Sequence, residues 1–197
     1  ISTVNDRFSI ANDAVSLNGD HLVGATTGSD SYSISFWIND VINDGNQRMV
    51  VNHYLNNYGY YIVLLNGNLR AYAKFGASQN NNPFTASSAA NLATTVNVAD
   101  GNWHHVVFTA REYITNGFEY NYQYKLYIDA VQVGSDVRTV SMFSGSNRQH
   151  HGLSGSHTFA VGDDAANTSA FKYENTIDDI SFYKSTLSAA QITTIYT

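Results

Sequence analysis

Along the chain, short runs rich in Val, Ile, Thr, Tyr and Phe alternate with clusters of Asn, Gly, Asp and Ser, a pattern that predicts strands separated by turns. The clearest run is YSISFWIN at 32–39, where Tyr32, Ile34, Phe36 and Ile38 fall on one face and Ser33, Ser35, Trp37 and Asn39 on the other. That alternation predicts a half-buried strand. GYYIVLLNGNLRAYAKFG at 59–76 predicts a hairpin around Asn66-Gly67-Asn68, residues that tolerate the positive φ of a tight turn. YKLYIDAVQVGS at 124–135 and TIDDISFYK at 176–184 supply further strands. Only SAAQITTIY at 188–196 has helical spacing, with Ala189, Ile192, Ile195 and Tyr196 behind a Ser188 cap.

Many strands, one proline and one short terminal helix predict an all-β chain: an antiparallel two-sheet jelly-roll sandwich with a short C-terminal helix. No repeat or linker divides it, so residues 1–197 form a single expected domain. Long connections are expected at 77–91, 112–122 and 144–157, where specificity would sit.

GNWHHVVFT at 101–109 invites a metal-site reading, because two histidines are adjacent. In a regular strand successive side chains point to opposite faces, so His104 and His105 do not reach one ion. Trp103, His105, Val107 and Thr109 share a face, and the expectation is a packed tryptophan with one packed, hydrogen-bonded histidine.

DGNWHHVVFTA, followed by YKLYIDAVQVGS and then by IDDISFYKSTLSAAQITTIY, resembles the skeleton of laminin-G-like (concanavalin A-like) jelly-roll domains. AVSLNGDHLVGA and YSISFWI are similar to that family's first two core strands. Ala130 departs from it, standing where the family usually has Gly in a turn. The resemblance implies a structural calcium where the first core strand meets the last. Calcium takes about six to eight oxygen ligands. Asp178 of the IDD segment is the leading ligand, with Asn18 and Asp20 of SLNGD as its companions.

Composition narrows the partners. The chain carries 10 Lys+Arg against 16 Asp+Glu and shows no basic stripe, which excludes nucleic acid from the expected partners. No apolar run approaches a membrane span and no signal-peptide pattern opens the chain, so membrane insertion is not expected. The start at Ile1 fits a processed or excised part of a larger parent protein, within which protein partners are also expected. Richness in Asn, Ser, Thr, Gly and Tyr with little Lys suits an extracellular or surface-displayed location.

Glycosidases of this broad fold carry paired carboxylates on one strand. Here the glutamates are only Glu112, Glu119 and Glu174, and the adjacent Asp178 and Asp179 are expected to face opposite ways. No Ser-His-Asp order, phosphate-binding glycine loop or His-Glu-x-x-His pattern occurs. Aromatic side chains and amides favour carbohydrate instead, since aromatic faces stack on sugar rings and amides pair with hydroxyls. Tyr58, in NHYLNNYGYY and before a glycine, is expected in an exposed turn as a stacking residue; Arg148 and His150 are expected to make polar contacts from a loop. The expected function is a non-catalytic carbohydrate-binding or adhesion module that takes a glycan or polysaccharide. The alternatives are a polysaccharide lyase or glycoside hydrolase of the same fold, and a structural or protein-binding domain of a surface assembly or phage fibre.

Overall fold

The structure, a computed structural model, describes residues 8–10, 31–55, 58–74, 90–114, 119–141, 159–162, 172–183 and 185–197. These residues form β1 (Phe8–Ile10), β2 (Ser31–Asn39), β3 (Arg48–Leu55), β4 (Tyr58–Leu65), β5 (Asn68–Lys74) and β6 (Ala90–Asn97). They continue with β7 (Trp103–Ile114), β8 (Glu119–Ile128), β9 (Val131–Ser141), β10 (Phe159–Val161), β11 (Thr176–Tyr183) and helix α1 (Ala189–Tyr196). A six-stranded sheet runs β1-β10-β3-β4-β5-β6 and a five-stranded sheet runs β11-β2-β7-β8-β9, with all pairings antiparallel. This is the expected jelly-roll sandwich.

The core follows from strand alternation. Tyr32, Ile34, Phe36 and Ile38 of β2 meet Val106, Phe108 and Ala110 of β7 and Tyr124, Leu126 and Ile128 of β8, packed against Tyr60, Ile62 and Leu64 of β4. Tyr124 is thus core, in phase with Leu126 and Ile128. Along one edge β9 closes on β6, and Gly134 allows the approach: a Cβ there would come within 3.3 Å of the Leu92 Cβ.

Several expectations are adjusted. The 112–122 segment is mostly strand, since β7 runs to Ile114 and β8 starts at Glu119; alternation of Tyr120, Tyr122 and Tyr124 carries the pairing outward. The 124–135 run is two strands broken at Asp129-Ala130. Both turn residues have positive φ, 51° and 63°, the backbone of a two-residue type I′ hairpin. Ala130 therefore keeps the turn that glycine would make.

The polar phase of β2 is buried as well, because the C-terminal segment lies over it. Ser33 Oγ donates to the Ser185 carbonyl and accepts the Leu187 N–H, each at 2.9 Å. Thr186 Oγ1 donates to the Ala110 carbonyl at 3.0 Å. Helix α1 opens with a capping box: Ser188 Oγ accepts the Gln191 N–H, and the Ser188 N–H donates to Gln191 Oε1. Ile192 then packs with Leu187 on Val107 and Tyr127.

The two histidines split as alternation requires. His104 Nδ1 lies 2.7 Å from Asp129 Oδ2 and its Nε2 lies 3.1 Å from Asp100 Oδ1. Burial lowers its pKa, but the two carboxylates outweigh this and leave it above the ordinary 6.5. His105 points to the other face, where Nε2 lies 2.7 Å from Ser35 Oγ. Burial lowers its pKa, only partly opposed by Asp129 and Asp179. Asp100, held by the Asn102 N–H and His104, is lowered to about 2.

Two outcomes are expected. Ala130→Gly should raise unfolding stability by about 0.5–1 kcal/mol, since glycine adopts the left-handed backbone without the steric cost an alanine Cβ incurs; a denaturant titration measures it, and a loss would show that the Ala130 methyl matters more through its packing on α1. Histidine NMR titration should place His104 above and His105 below 6.5. His104 then contributes stability that is present below the unfolded pKa and lost as pH rises through its folded value, whereas the His105 contribution is present above the unfolded pKa and lost as pH falls through its folded value.

Candidate functional site

At the end of the sandwich where β2 finishes and β7 begins, the outer face of the five-stranded sheet carries two adjacent rows. Register places Thr176, Asn39 and Trp103 side by side in the first, and Asp178, Trp37 and His105 in the second. These are the polar-phase positions of β2 and their neighbours, so the alternation that buries Phe36 and Ile38 turns Trp37 and Asn39 outward. Tyr196, from the last turn of α1, stacks on Trp37 with ring centroids 5.8 Å apart and on His105 at 5.9 Å. The Trp37 and His105 rings lie 5.0 Å apart.

Cover by the helix ends at Tyr196, which is 37% exposed, and Trp103 beyond it is 46% exposed. The expected packing of Trp103 is therefore not found: it begins β7 at the rim of the sheet and is exposed. Asn39 beside it donates from Nδ2 to the Gly101 carbonyl at 3.0 Å, which leaves its side-chain oxygen as an acceptor. Val41 extends the rim, 67% exposed and next to Gly101.

Asp178 and Asp179 border the same face. Between the pairs Asp178–Trp37 and Ser181–Ser35 the register shifts, so two residues of β11 stand opposite the single Phe36. This β-bulge, with Asp179 at φ 54°, leaves both carboxylates exposed instead of facing opposite ways. Asp178 Oδ1 accepts the Asp179 N–H at 2.9 Å, and the Asp179 charge is felt at His105.

The Ser35–His105 contact has the spacing of a nucleophile and its base but not the setting. Ser35 is 4% and His105 2% exposed, and His105 Nδ1 has no hydrogen-bond partner where a triad would place an orienting carboxylate. The bond joins β2 to β7, and the His105 ring in turn stacks on Tyr196 of the helix. A second aromatic feature, Tyr61 against Tyr72 on the outer face of the other sheet, has centroids 4.7 Å apart and planes 20° apart. That distance equals the inter-strand spacing of about 4.8 Å, so the rings cover each other's faces, which makes Trp103 the better stacking surface.

Tyr58 is the first residue of β4, opposite Leu55 and in phase with Tyr60 and Ile62, instead of lying in a turn. The connection is short enough for pairing to resume there. Arg148 and His150 lie outside the described residues, as do Asn18 and Asp20. The ends of β3, β7 and β9 and the starts of β4, β8 and β10 lie at the end of the sandwich opposite Trp103, and Tyr58 stands there. As for calcium, Asp178 has one oxygen engaged by its own bulge, and no group of three His, Cys, Asp or Glu among the described residues is placed to hold a metal. These residues do not fit a calcium site by themselves. No described helix is long and apolar enough to cross a membrane. Trp37, Trp103 and Tyr196 were not among the expected ligand residues; the available signal was a tryptophan on the otherwise polar phase of YSISFWIN.

Among solved structures, the botulinum neurotoxin serotype D binding domain matches with 17% identity and a TM-score of 0.59, covering 100% of this chain and 41% of that one. A botulinum neurotoxin type C structure, whose cell entry depends on interaction with two ganglioside molecules, matches with 17% identity and a TM-score of 0.57, covering 99% and 40%. The binding domain of botulinum neurotoxin DC in complex with rat synaptotagmin II matches with 18% identity and a TM-score of 0.50, covering 84% and 35%. The chain thus spans well under half the length of these neighbours, and at such identity the likeness is one of fold. No curated protein matches the chain by sequence. Residues 10–193 match the laminin-G-type family model, and with the jelly-roll sandwich that assigns this chain to the concanavalin A-like lectin/glucanases superfamily, to which it belongs.

Proposed function

We propose that this chain is a non-catalytic carbohydrate-binding module of an extracellular or surface-displayed protein, taking its ligand on the outer face of the five-stranded sheet. The observation that carries this is Trp103, a large ring 46% exposed at the rim of a face that also presents Asn39, Thr176, Asp178 and the stacked Trp37–Tyr196 pair. An indole face stacks on the apolar face of a sugar ring, while amide, hydroxyl and carboxylate groups around it take hydroxyl hydrogens. Membership of a lectin-containing superfamily supports the reading. So does the ganglioside dependence of the type C neurotoxin, whose fold is similar. The complex of a neurotoxin binding domain with synaptotagmin II makes a protein ligand the rival outcome.

A glycan array with the intact chain tests the proposal: retention of defined saccharides without release of shorter products is expected, and an array with no bound glycan would sink it. Trp103→Ala should weaken the binding of a glycan hit by about 1–2 kcal/mol, as for truncation of a central aromatic contact. Thermal unfolding should hardly change, because the ring is largely exposed; a large drop in Tm would show that Trp103 acts in packing.

A further inference from the structure

The Trp103 face carries the two exposed carboxylates of Asp178 and Asp179 and, among the described residues of its rows, no Lys or Arg side chain. Asp178 has one oxygen committed to the Asp179 N–H, leaving the other outward, and the bulge brings the Asp179 carboxylate out beside it. Asn39 donates one of its two amide N–H groups to the Gly101 carbonyl and keeps its side-chain oxygen as an acceptor. No Lys or Arg stands in the rows Thr176–Asn39–Trp103 and Asp178–Trp37–His105, and the helix AAQITTIY that borders them has none either. Within the wall, His105 is 2% exposed with Nδ1 unpartnered among the described residues. In the tautomer whose Nε2–H donates to Ser35, that nitrogen carries a lone pair and adds to the negative character of the face.

We infer that the ligand of this face is an amino sugar with its amine unacetylated and protonated. The inference rests on the carbohydrate reading above and specifies its chemistry. An ammonium group brings three N–H donors and no acceptor, which matches a surface offering Asp178, Asp179 and Asn39. An N-acetyl group removes the positive charge and with it the attraction to the two carboxylates. A uronate or sialate adds a negative charge next to two carboxylates. Trp103 adds attraction of its own, since a cation is drawn to an indole face.

The test is calorimetric titration of the intact chain, at slightly acid pH and low salt, with three oligosaccharides of equal length: glucosamine, N-acetylglucosamine and a uronic acid. The glucosamine oligomer should bind about three- to tenfold more tightly than the acetylated one, the range expected for one or two exposed charge pairs. The uronic acid should bind most weakly, and molar salt should shrink the preference because exposed charges are screened. Asp178→Asn and Asp179→Asn should each move the ratio toward one. Asparagine at 178 keeps an oxygen for the Asp179 N–H, so the bulge is retained. Equal affinity for the amino and acetylated oligomers overturns the inference while leaving the carbohydrate reading in place, and so does a preference for the uronic acid. A preference that disappears in chelator overturns it in favour of a bridging cation. Failure of all three to bind, with no other saccharide retained on the array, removes both.

Discussion

Asp129 holds the end of the sandwich on which the proposed site is built. Its carboxylate accepts the His105 backbone N–H at 2.9 Å on Oδ1 and meets His104 Nδ1 at 2.7 Å on Oδ2, while its own N–H donates to the His105 carbonyl at 2.8 Å. One residue thus binds both adjacent histidines, through backbone for one and side chain for the other. It does so from a left-handed backbone at φ 51°, a conformation that aspartate tolerates better than most residues because its short polar side chain bonds locally. The turn between β8 and β9 is thereby locked to the start of β7, and the position of Trp103, one residue before His104, follows.

The second constraint is the C-terminal segment, which makes the sandwich three layers deep on one side. Four outward positions of β2 and β7, Ser33, Ser35, His105 and Thr109, are polar, and all four are buried. Such groups need partners once water is excluded. Ser33 finds the backbone of Ser185 and Leu187, and His105 finds Ser35. Apolar contact by Ile192 and Leu187 supplies the adhesion and the hydroxyls set the register.

Legibility in the sequence followed physical locality. Strand phase in YSISFWIN, the Asn66-Gly67 hairpin and the Ser188-capped helix depend on neighbours within a few residues, and all appear as expected. The sandwich followed from the succession of strand patterns, and the family resemblance that agreed with it is borne out by the match over residues 10–193. What sequence alone did not show depended on distant contacts. Ser33 is buried against Ser185 and Leu187, 152 and 154 positions away, and Ser35 bonds His105, 70 positions away. The bulge at Asp178–Asp179 escaped because a single inserted residue leaves the composition of a strand unchanged while reversing the facing of every residue beyond it.

That bulge also bears on how copies of the chain meet. Among the described strands β11 is an edge of the five-stranded sheet, and an edge strand offers unpaired N–H and C=O groups to any extended segment that approaches. Here the regular spacing of those groups is interrupted in mid-strand, the backbone turns left-handed at Asp179, and two consecutive exposed carboxylates would face the incoming chain. A second copy adding its own β11 would set four negative charges against one another across a mismatched ladder. The irregularity that shapes one border of the proposed ligand face therefore disfavours strand exchange and fibril growth along that border.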